Sequence, residues 1–280
     1  MDRPLISVVI PTRNRASYLE VALASIAAQQ DPPAHEVIVV DDHSTDSTAA
    51  LAARAGARLV TTPDPGGINP GRNAGVRSAR AELVALVDDD VSAWPGWLRA
   101  LAEGAARHPE ALAFGGPIRA RLEGPAPRAC GRERPPITAL DLGSTDREAE
   151  TLFGANLTLR RRAFNLAGAF DETIVGGGDE EEWLRRLHAA GGTTVYLADA
   201  GLDHRRTGAD SRLRALMRGA YARGRQARAW DQRRGGDRGM AGEVRVLAGC
   251  GWHTVRRGCP QGLVMGAHSA GRLVETLRPR

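Results

Sequence analysis

Lysine is absent from this 280-residue chain, and all 38 of its basic residues are arginines. The absence reads chiefly as GC-rich coding bias, although at single sites the planar guanidinium is well suited to phosphate. No run of about 18 uninterrupted apolar residues occurs, so a helix that spans a membrane is not expected. Cysteine is scarce: Cys130, Cys250 and Cys259 form no metal-type spacing, and their odd number suits a reduced compartment. The opening Met1-Asp2-Arg3-Pro4 lacks the basic-then-apolar pattern of a signal peptide. A cytoplasmic location is therefore expected. No internal repeat is present, which excludes a solenoid. What remains is ordinary for a chain that buries a core: 42% hydrophobic and 25% charged residues.

Charge is unevenly divided. Residues 205–280 hold 17 arginines against five acids, a net +12, and the formal total of +5 leaves −7 for residues 1–204. A mildly acidic body followed by a basic tail is the pattern. Leu213, Leu216, Met217 and Ala220 give the tail an amphipathic helical start, with Gly235-Gly236 and Gly239 breaking it before a second, weaker helix. Arginine on such a helix suits peripheral contact with anionic lipid at the inner membrane face, cover for the body's acidic surface, or dimerisation. Because the charge is confined to one tail, nucleic-acid binding is not expected.

Along the body, apolar strands alternate with helical patterns. Strands are expected at residues 5–10, 37–40, 59–61 and 83–87. Ser17-x-x-Glu20 resembles a capping box for a first helix, Ser44 and Asp46 cap a second that runs through Ala57, and a third covers residues 72–80. This alternation predicts an open, mostly parallel sheet flanked by helices. Residues 117–150, rich in proline, glycine and arginine, read as a long loop or lid with little regular structure. Order resumes with a strand at 156–159, helices at 161–167 and 180–190, and a strand at 193–197.

Ligands of such sheets bind outside the carboxyl ends of the strands, and two acidic clusters fall at those ends. Asp88-Asp89-Asp90 follows the fourth strand; three adjacent carboxylates favour a compensating cation such as Mg²⁺ or Mn²⁺, or form a solvated acidic turn. Asp41-Asp42 follows the second strand and suits a base or ribose, or helix capping. The loop Gly66-Gly67-Ile68-Asn69-Pro70-Gly71-Arg72-Asn73 offers backbone amides and Arg72 to a diphosphate, or is a plain connection; it matches neither the dinucleotide fingerprint nor the P-loop. Gly176-Gly177-Gly178 opens into Asp179-Glu180-Glu181-Glu182, more acids than a helix start needs, and a carboxylate there suits a general base. His204, after Leu202-Asp203, is a candidate metal ligand.

In order and spacing these segments resemble family 2 glycosyltransferases of the GT-A (Rossmann-like) fold. Ser7-Val8-Val9-Ile10-Pro11-Thr12-Arg13-Asn14-Arg15 is similar to the family's opening strand and turn, and Val39-Val40-Asp41-Asp42 to its second strand. Gly71-Arg72-Asn73-Ala74-Gly75 resembles its Ala-Arg-Asn-x-Gly stretch, and Leu86-Val87-Asp88-Asp89-Asp90 its Asp-x-Asp element. Gly154-Ala155-Asn156 and Gly168-Ala169-Phe170-Asp171-Glu172 resemble the acceptor-side segments. The resemblance covers residues 5–204 and implies an α/β domain over 1–204, with a nucleotide-sugar half at 1–116, the loop or lid at 117–150 and an acceptor-side half at 151–204. The remaining 205–280 would be a basic helical C-terminal extension.

The resemblance also implies roles. Pro11, Thr12, Arg15, Asp42, Arg72, Asp88 and Asp89 would face a UDP-, TDP- or GDP-sugar, while Asp90 and His204 would hold a divalent cation. Counting back from Arg186-Leu187, the family's Glu-Asp pair falls on Asp179-Glu180 with the acids exchanged. Glu180 is thus the expected base, with Asp179 and Glu181 as rivals. The implied reaction is inverting transfer to a hydroxyl acceptor, a small molecule or a cell-surface glycan precursor. The competing expectation is a catalytically degenerate nucleotide-sugar-binding protein. A nucleotidyltransferase would carry a glycine-rich loop after its first strand, where Pro11-Thr12-Arg13-Asn14 stands.

Overall fold

The computed structural model describes residues 3–128, 130, 136–174, 177–233 and 239–278. The elements follow in chain order: β1 (Ile6–Thr12), α1 (Ala16–Ala27), β2 (His35–Asp41), α2 (Thr48–Arg54), β3 (Arg58–Thr61), α3 (Ile68–Ser78), β4 (Leu83–Val87), β5 (Val91–Ala93) and α4 (Trp97–Arg107). Then come β6 (Ala113–Gly115), β7 (Ile118–Leu122), β8 (Arg147–Glu148), β9 (Asn156–Arg160), α5 (Arg161–Ala167), α6 (Asp179–Ala189), β10 (Thr194–Tyr196) and β11 (Leu202–Arg206). A short 3-10 turn (Gly208–Ser211) leads into α7 (Leu213–Arg233), α8 (Met240–Arg257) and α9 (Gln261–Thr276).

Eight strands form one sheet in the order β3-β2-β1-β4-β9-β6-β10-β8, and β5-β11-β7 form a second. β3, β2, β1 and β4 run parallel, as do β6 and β10, whereas β9 is antiparallel to both β4 and β6. Central strand β4 is apolar and buried at every position because both faces of the sheet are covered. Alternation then sorts the strands' side chains into two cores. Ile6, Val8 and Ile10 pack with Leu19 and Leu23 of α1 and with Trp97, Leu98 and Leu101 of α4. Val9, Ile38, Val40, Val84 and Leu86 pack with Val76 of α3, Phe170, and Trp183 and Leu187 of α6. Helix α3 lies close on the sheet because Gly75 has no side chain; a Cβ there would collide with Val9.

The expected largely parallel α/β sheet is present, with several local corrections. Ser17 lies inside α1, so Ser17 and Glu20 make no capping box; the first amide, Ala16 N–H, instead donates to Asp46 Oδ2 at 2.9 Å. Asp46 also accepts from the Thr48 amide at 3.1 Å at the start of α2. The turns after β1 and β2 are further joined by Asn14 N–H to Ser44 Oγ at 2.9 Å and Thr45 N–H to Asn14 Oδ1 at 2.7 Å. Helix α3 starts at Ile68, a turn before the expected position, which puts Arg72 within it. Residues 117–150 contain β7 and β8; β7 forms because Arg119 and Arg121 alternate with buried Ile118. Helix α4 was not anticipated, although its buried Trp97, Leu98, Leu101 and Ala105 are at helical spacing. In the tail, Gly239 directly precedes α8, while Gly235-Gly236 lie outside the described residues.

The chain divides into two compact units. One comprises Met1–Arg119, Ala139–Val175 and Asp179–His204; the other comprises Ala120–Thr138, Gly176–Gly178 and Arg205–Arg280. In the second, α9 packs along both α7 and α8. There Arg272 of α9 is paired with Glu243 at 2.6 Å and Asp231 at 2.7 Å. Among the described residues no helix is long and apolar enough to cross a membrane.

Candidate active site

Parallel strands β1, β2 and β4 end on the same edge, and the strand order reverses there, since β1 leads outward to β2 and β3 before the chain crosses to β4. A crevice at such a reversal is where ligands of open α/β sheets bind. Asp88, Asp89 and Asp90 begin immediately after β4. Thr12, the last residue of β1, donates its hydroxyl to Asp89 Oδ2 at 2.7 Å. Arg15, just before α1, reaches Asp89 at 2.7 Å and Asp90 at 2.8 Å. Burial pushes the Asp89 carboxyl up to about 7, with Arg15 opposing and Asp90 adding to the rise. Burial raises Asp88 as well, against the pull of Arg72.

His204 joins this cluster through the second sheet. β11 is antiparallel to β5, with His204 opposite Val91, the residue after Asp90. The imidazole Nε2 lies 3.1 Å from Asp90 Oδ1, and both side chains are buried. Alternation sends the preceding Asp203 the other way, where Arg119 clamps it at 2.8 Å through two nitrogens and the Trp94 indole donates at 2.9 Å. Asp88, Asp90 and His204 each offer one ligand atom, all within 4.8 Å of one another. Two carboxylate oxygens and an imidazole nitrogen suit a small divalent cation that keeps further positions for phosphate and water. The donor set therefore fits Mg²⁺ or Mn²⁺.

Arg72 is buried in α3, and its guanidinium meets three acids: Asp179 in a direct ion pair, Asp88 at 3.5 Å and Glu180 at 3.9 Å. The sequence suggested a diphosphate contact; the resolved polar partners of Arg72 are carboxylates. Gly154, just before β9, makes the approach of Arg72 and Glu180 sterically possible, because a Cβ there would strike both. Its amide donates to Glu180 Oε1 at 2.9 Å. Burial raises the Glu180 carboxyl, but Arg72 and this amide overcome that and leave it lowered. Burial dominates at Asp179 and pushes it up to about 7 despite Arg72. Asn73, next to Arg72, anchors the Phe170–Glu172 segment by accepting from Phe170 N–H at 2.9 Å and donating to Glu172 at 2.8 Å.

The remaining sequence candidates fall in different places. Asp42 caps no helix: it accepts from the Gly66 and Gly67 amides at 3.0 and 3.1 Å and from Thr62 and Arg13, so it holds the glycine loop against the end of β2. Burial alone would raise this carboxyl, and the loop amides bring it below its ordinary value. Pro11 lies beneath α3, 3.0 Å from where a Cβ of Gly71 would be. Glu181 is exposed, on the opposite side of α6 from the buried Asp179. Glu182 turns away, paired with Arg186 at 2.7 Å. Gly177 and Gly178 belong to the second unit, and Gly176 lies outside the described residues.

Sequence reasoning gave no role to Asp203, Arg119, Asn73 or Gly154. Their partners are 26 or more positions away, beyond the reach of a local motif. It also dismissed the cysteines as metal ligands on spacing. Two of them are brought together with His253 in the second unit, their ligand atoms within 4.8 Å of one another.

A family model described as glycosyl transferase family 2 matches residues 7–166. Validoxylamine A glucosyltransferase of Streptomyces hygroscopicus subsp. limoneus is 32% identical over 220 residues, which cover 67% of this chain and 49% of that protein. Pre-mycofactocin glycosyltransferase of Mycobacterium tuberculosis is 32% identical over 213 residues, 71% of this chain and 43% of that protein. The chain thus spans about half the length of the curated relatives it matches. Among solved structures, the mannosyltransferase PcManGT from Pyrobaculum calidifontis in complex with GDP-Man and Mn²⁺ superposes with a TM-score of 0.58 at 19% identity, over 98% of this chain and 70% of that one. S. aureus TarS 1-349 in complex with UDP-GlcNAc does so with a TM-score of 0.58 at 21% identity, over 78% of this chain and 66% of that one. At these identities the structural likeness concerns the fold.

Proposed function

From the premise that the chain belongs to glycosyl transferase family 2, we propose that it transfers a sugar from a nucleoside-diphosphate sugar to an acceptor hydroxyl, with inversion and with the help of a divalent cation. The observation that carries this reading is the convergence of Asp88, Asp90 and His204 at the strand reversal, with Glu180 facing the same Arg72 that approaches Asp88. The structural neighbours in complex with GDP-Man and Mn²⁺ and with UDP-GlcNAc support the class of donor and cation. Residues 1–116 would hold the donor and 151–204 the acceptor.

Asp88, Asp90 and His204 would hold the cation, which when bound neutralises charge that develops on the departing diphosphate. Thr12 and Arg15 fix Asp89 and Asp90, so the carboxylates are oriented before a ligand arrives. Asp42 shapes the glycine loop beside the nucleotide. Glu180, held unprotonated by Arg72 and the Gly154 amide, takes the acceptor proton as the hydroxyl oxygen attacks the sugar C1. In the same displacement the bond from C1 to the diphosphate oxygen breaks and its electron pair leaves with the diphosphate. One displacement inverts C1.

For the second unit we retain peripheral membrane contact. Trp252 is 69% and Val255 83% exposed on α8, next to Arg256 and Arg257, a pairing of apolar and basic side chains that suits an anionic lipid surface. The direct test of the donor reading is thermal stability in the presence of UDP, TDP and GDP and their sugars, with Mn²⁺ or with EDTA. One nucleotide should raise the melting temperature, and only with the cation. Equal stabilisation by every nucleotide in EDTA would refute the cation-dependent site.

A further inference from the structure

We infer that the second unit carries a metal site of its own, in which the thiolates of Cys130 and Cys259 and Nε2 of His253 bind a soft or borderline divalent cation, Zn²⁺ foremost. The three ligand atoms lie within 4.8 Å of one another, and Cys130 Sγ is 3.2 Å from His253 Nε2. Around a tetrahedral zinc with ordinary Zn–S and Zn–N bonds, neighbouring ligand atoms stand about 3.5–3.8 Å apart. An adjustment of no more than about 1 Å therefore converts the resting cluster into a coordination sphere.

Local geometry explains why the ligands meet. His253 lies in the last turns of α8, which ends at Gly258 with a left-handed φ of 57°. That reversal lets the Cys259 amide bond back to the Thr254 carbonyl at 3.2 Å and returns the Cys259 side chain, buried, beside His253. Cys130 arrives from the 120–138 segment of the same unit. The Gln261 side-chain amide at the start of α9 donates through Nε2 to the Pro127 carbonyl at 3.5 Å, so Pro127 is tethered at the same corner independently of the cysteine.

The chemistry separates this site from the carboxylate site. Two thiolates and an imidazole select Zn²⁺ or Co²⁺ over Mg²⁺ and Mn²⁺, which prefer oxygen. Binding releases one proton from each thiol, and two thiolates with one divalent cation sum to no net charge. Three protein ligands leave a fourth position, and exposed Cys130 places it at the solvent side. The site would tie Cys130 to the α8–α9 turn.

The test uses the full chain, reduced and freed of metal, titrated with Co²⁺ and then Zn²⁺. One Co²⁺ per chain should give a thiolate-to-metal charge-transfer band and tetrahedral visible bands, which Zn²⁺ abolishes. A cation at the carboxylates gives no such band, and Asp90→Asn should leave it unchanged. Cys130→Ser, at an exposed position, and His253→Ala should each weaken binding by at least about 10-fold, while Cys250→Ala should not. If Cys259→Ser fails to fold, Cys130→Ser still decides. Absence of the band in the reduced chain, or a band that survives both Cys130→Ser and His253→Ala, overturns the site. So does a Cys130–Cys259 disulfide whose reduction yields no metal binding.

Discussion

Two acidic runs that look alike in the sequence behave differently in the structure. Asp88, Asp89 and Asp90 leave the end of a strand in an irregular turn, and residues remote in the chain draw all three inward: Thr12, Arg15, Arg72 and His204. Asp179 to Glu182 open a helix, where successive side chains are about 100° apart and cannot all face one site. Asp179 and Glu180 turn to Arg72, Glu181 points outward, and Glu182 joins Arg186 one turn on. A run of like charges at a strand end converges on a site, and the same run on a helix is dealt out among separate tasks.

The sharpest way to break that contrast is within the helical run. Glu180→Gln should lower turnover by about 10²–10⁴-fold with donor affinity nearly unchanged, since the amide keeps the shape but takes no proton. The pH profile separates Glu180 from Asp179. A base loses activity as pH falls through its pKa. Glu180 is lowered from 4.5, so its acidic limb lies below that value, whereas Asp179, at about 7, would give a limb near neutrality. A limb near 7 together with a dead Asp179→Asn enzyme would transfer the role to Asp179.

The strand-end run is tested next. Asp90→Asn should reduce transfer by about 10²–10³-fold, the usual loss for one group that stabilises developing charge, and should remove the cation-dependent part of nucleotide stabilisation. Full cation dependence in that variant would contradict the assignment. Further along the helix, Glu182→Ala should cost about 1–3 kcal/mol of stability in urea denaturation, because Arg186 loses a buried partner. Its turnover per folded molecule should be unchanged, and a stable but inactive Glu182→Ala protein would return Glu182 to the site. The smallest effect is expected at exposed Glu181, where Glu181→Gln should stay within about 0.5 kcal/mol of wild type. Loss of transfer there would show that the whole run, and not part of it, serves chemistry.

Much of this was legible before the structure. The strand at Leu83–Val87 and the helix at Arg161–Ala167 fall where periodicity and the flanking residues put them. The position of acids at strand ends follows from the alternation of strands and helices. What was not legible depends on partners far away in sequence. The capping box at Ser17 and Glu20 failed because Asp46, 30 residues on, supplies the cap. Nothing local reveals that Asp88, Asp179 and Glu180 surround Arg72. The cysteines showed no metal-type spacing because the sequence carries no trace of the turn at Gly258 that brings Cys259 back to His253.

The stitching of the turns after β1 and β2, through Asn14, Ser44, Thr45 and Asp46, has a consequence for recognition. Ordering a free loop around a ligand costs conformational entropy, which is subtracted from the affinity. These two turns surrender that freedom when the chain folds, so a ligand arriving above β1 and β2 meets a rigid rim. The neighbouring loop that carries Gly66 and Gly67 is fastened through one carboxylate, that of Asp42. Any adaptation to differently shaped ligands would then fall to that loop, with the stitched turns as the fixed side.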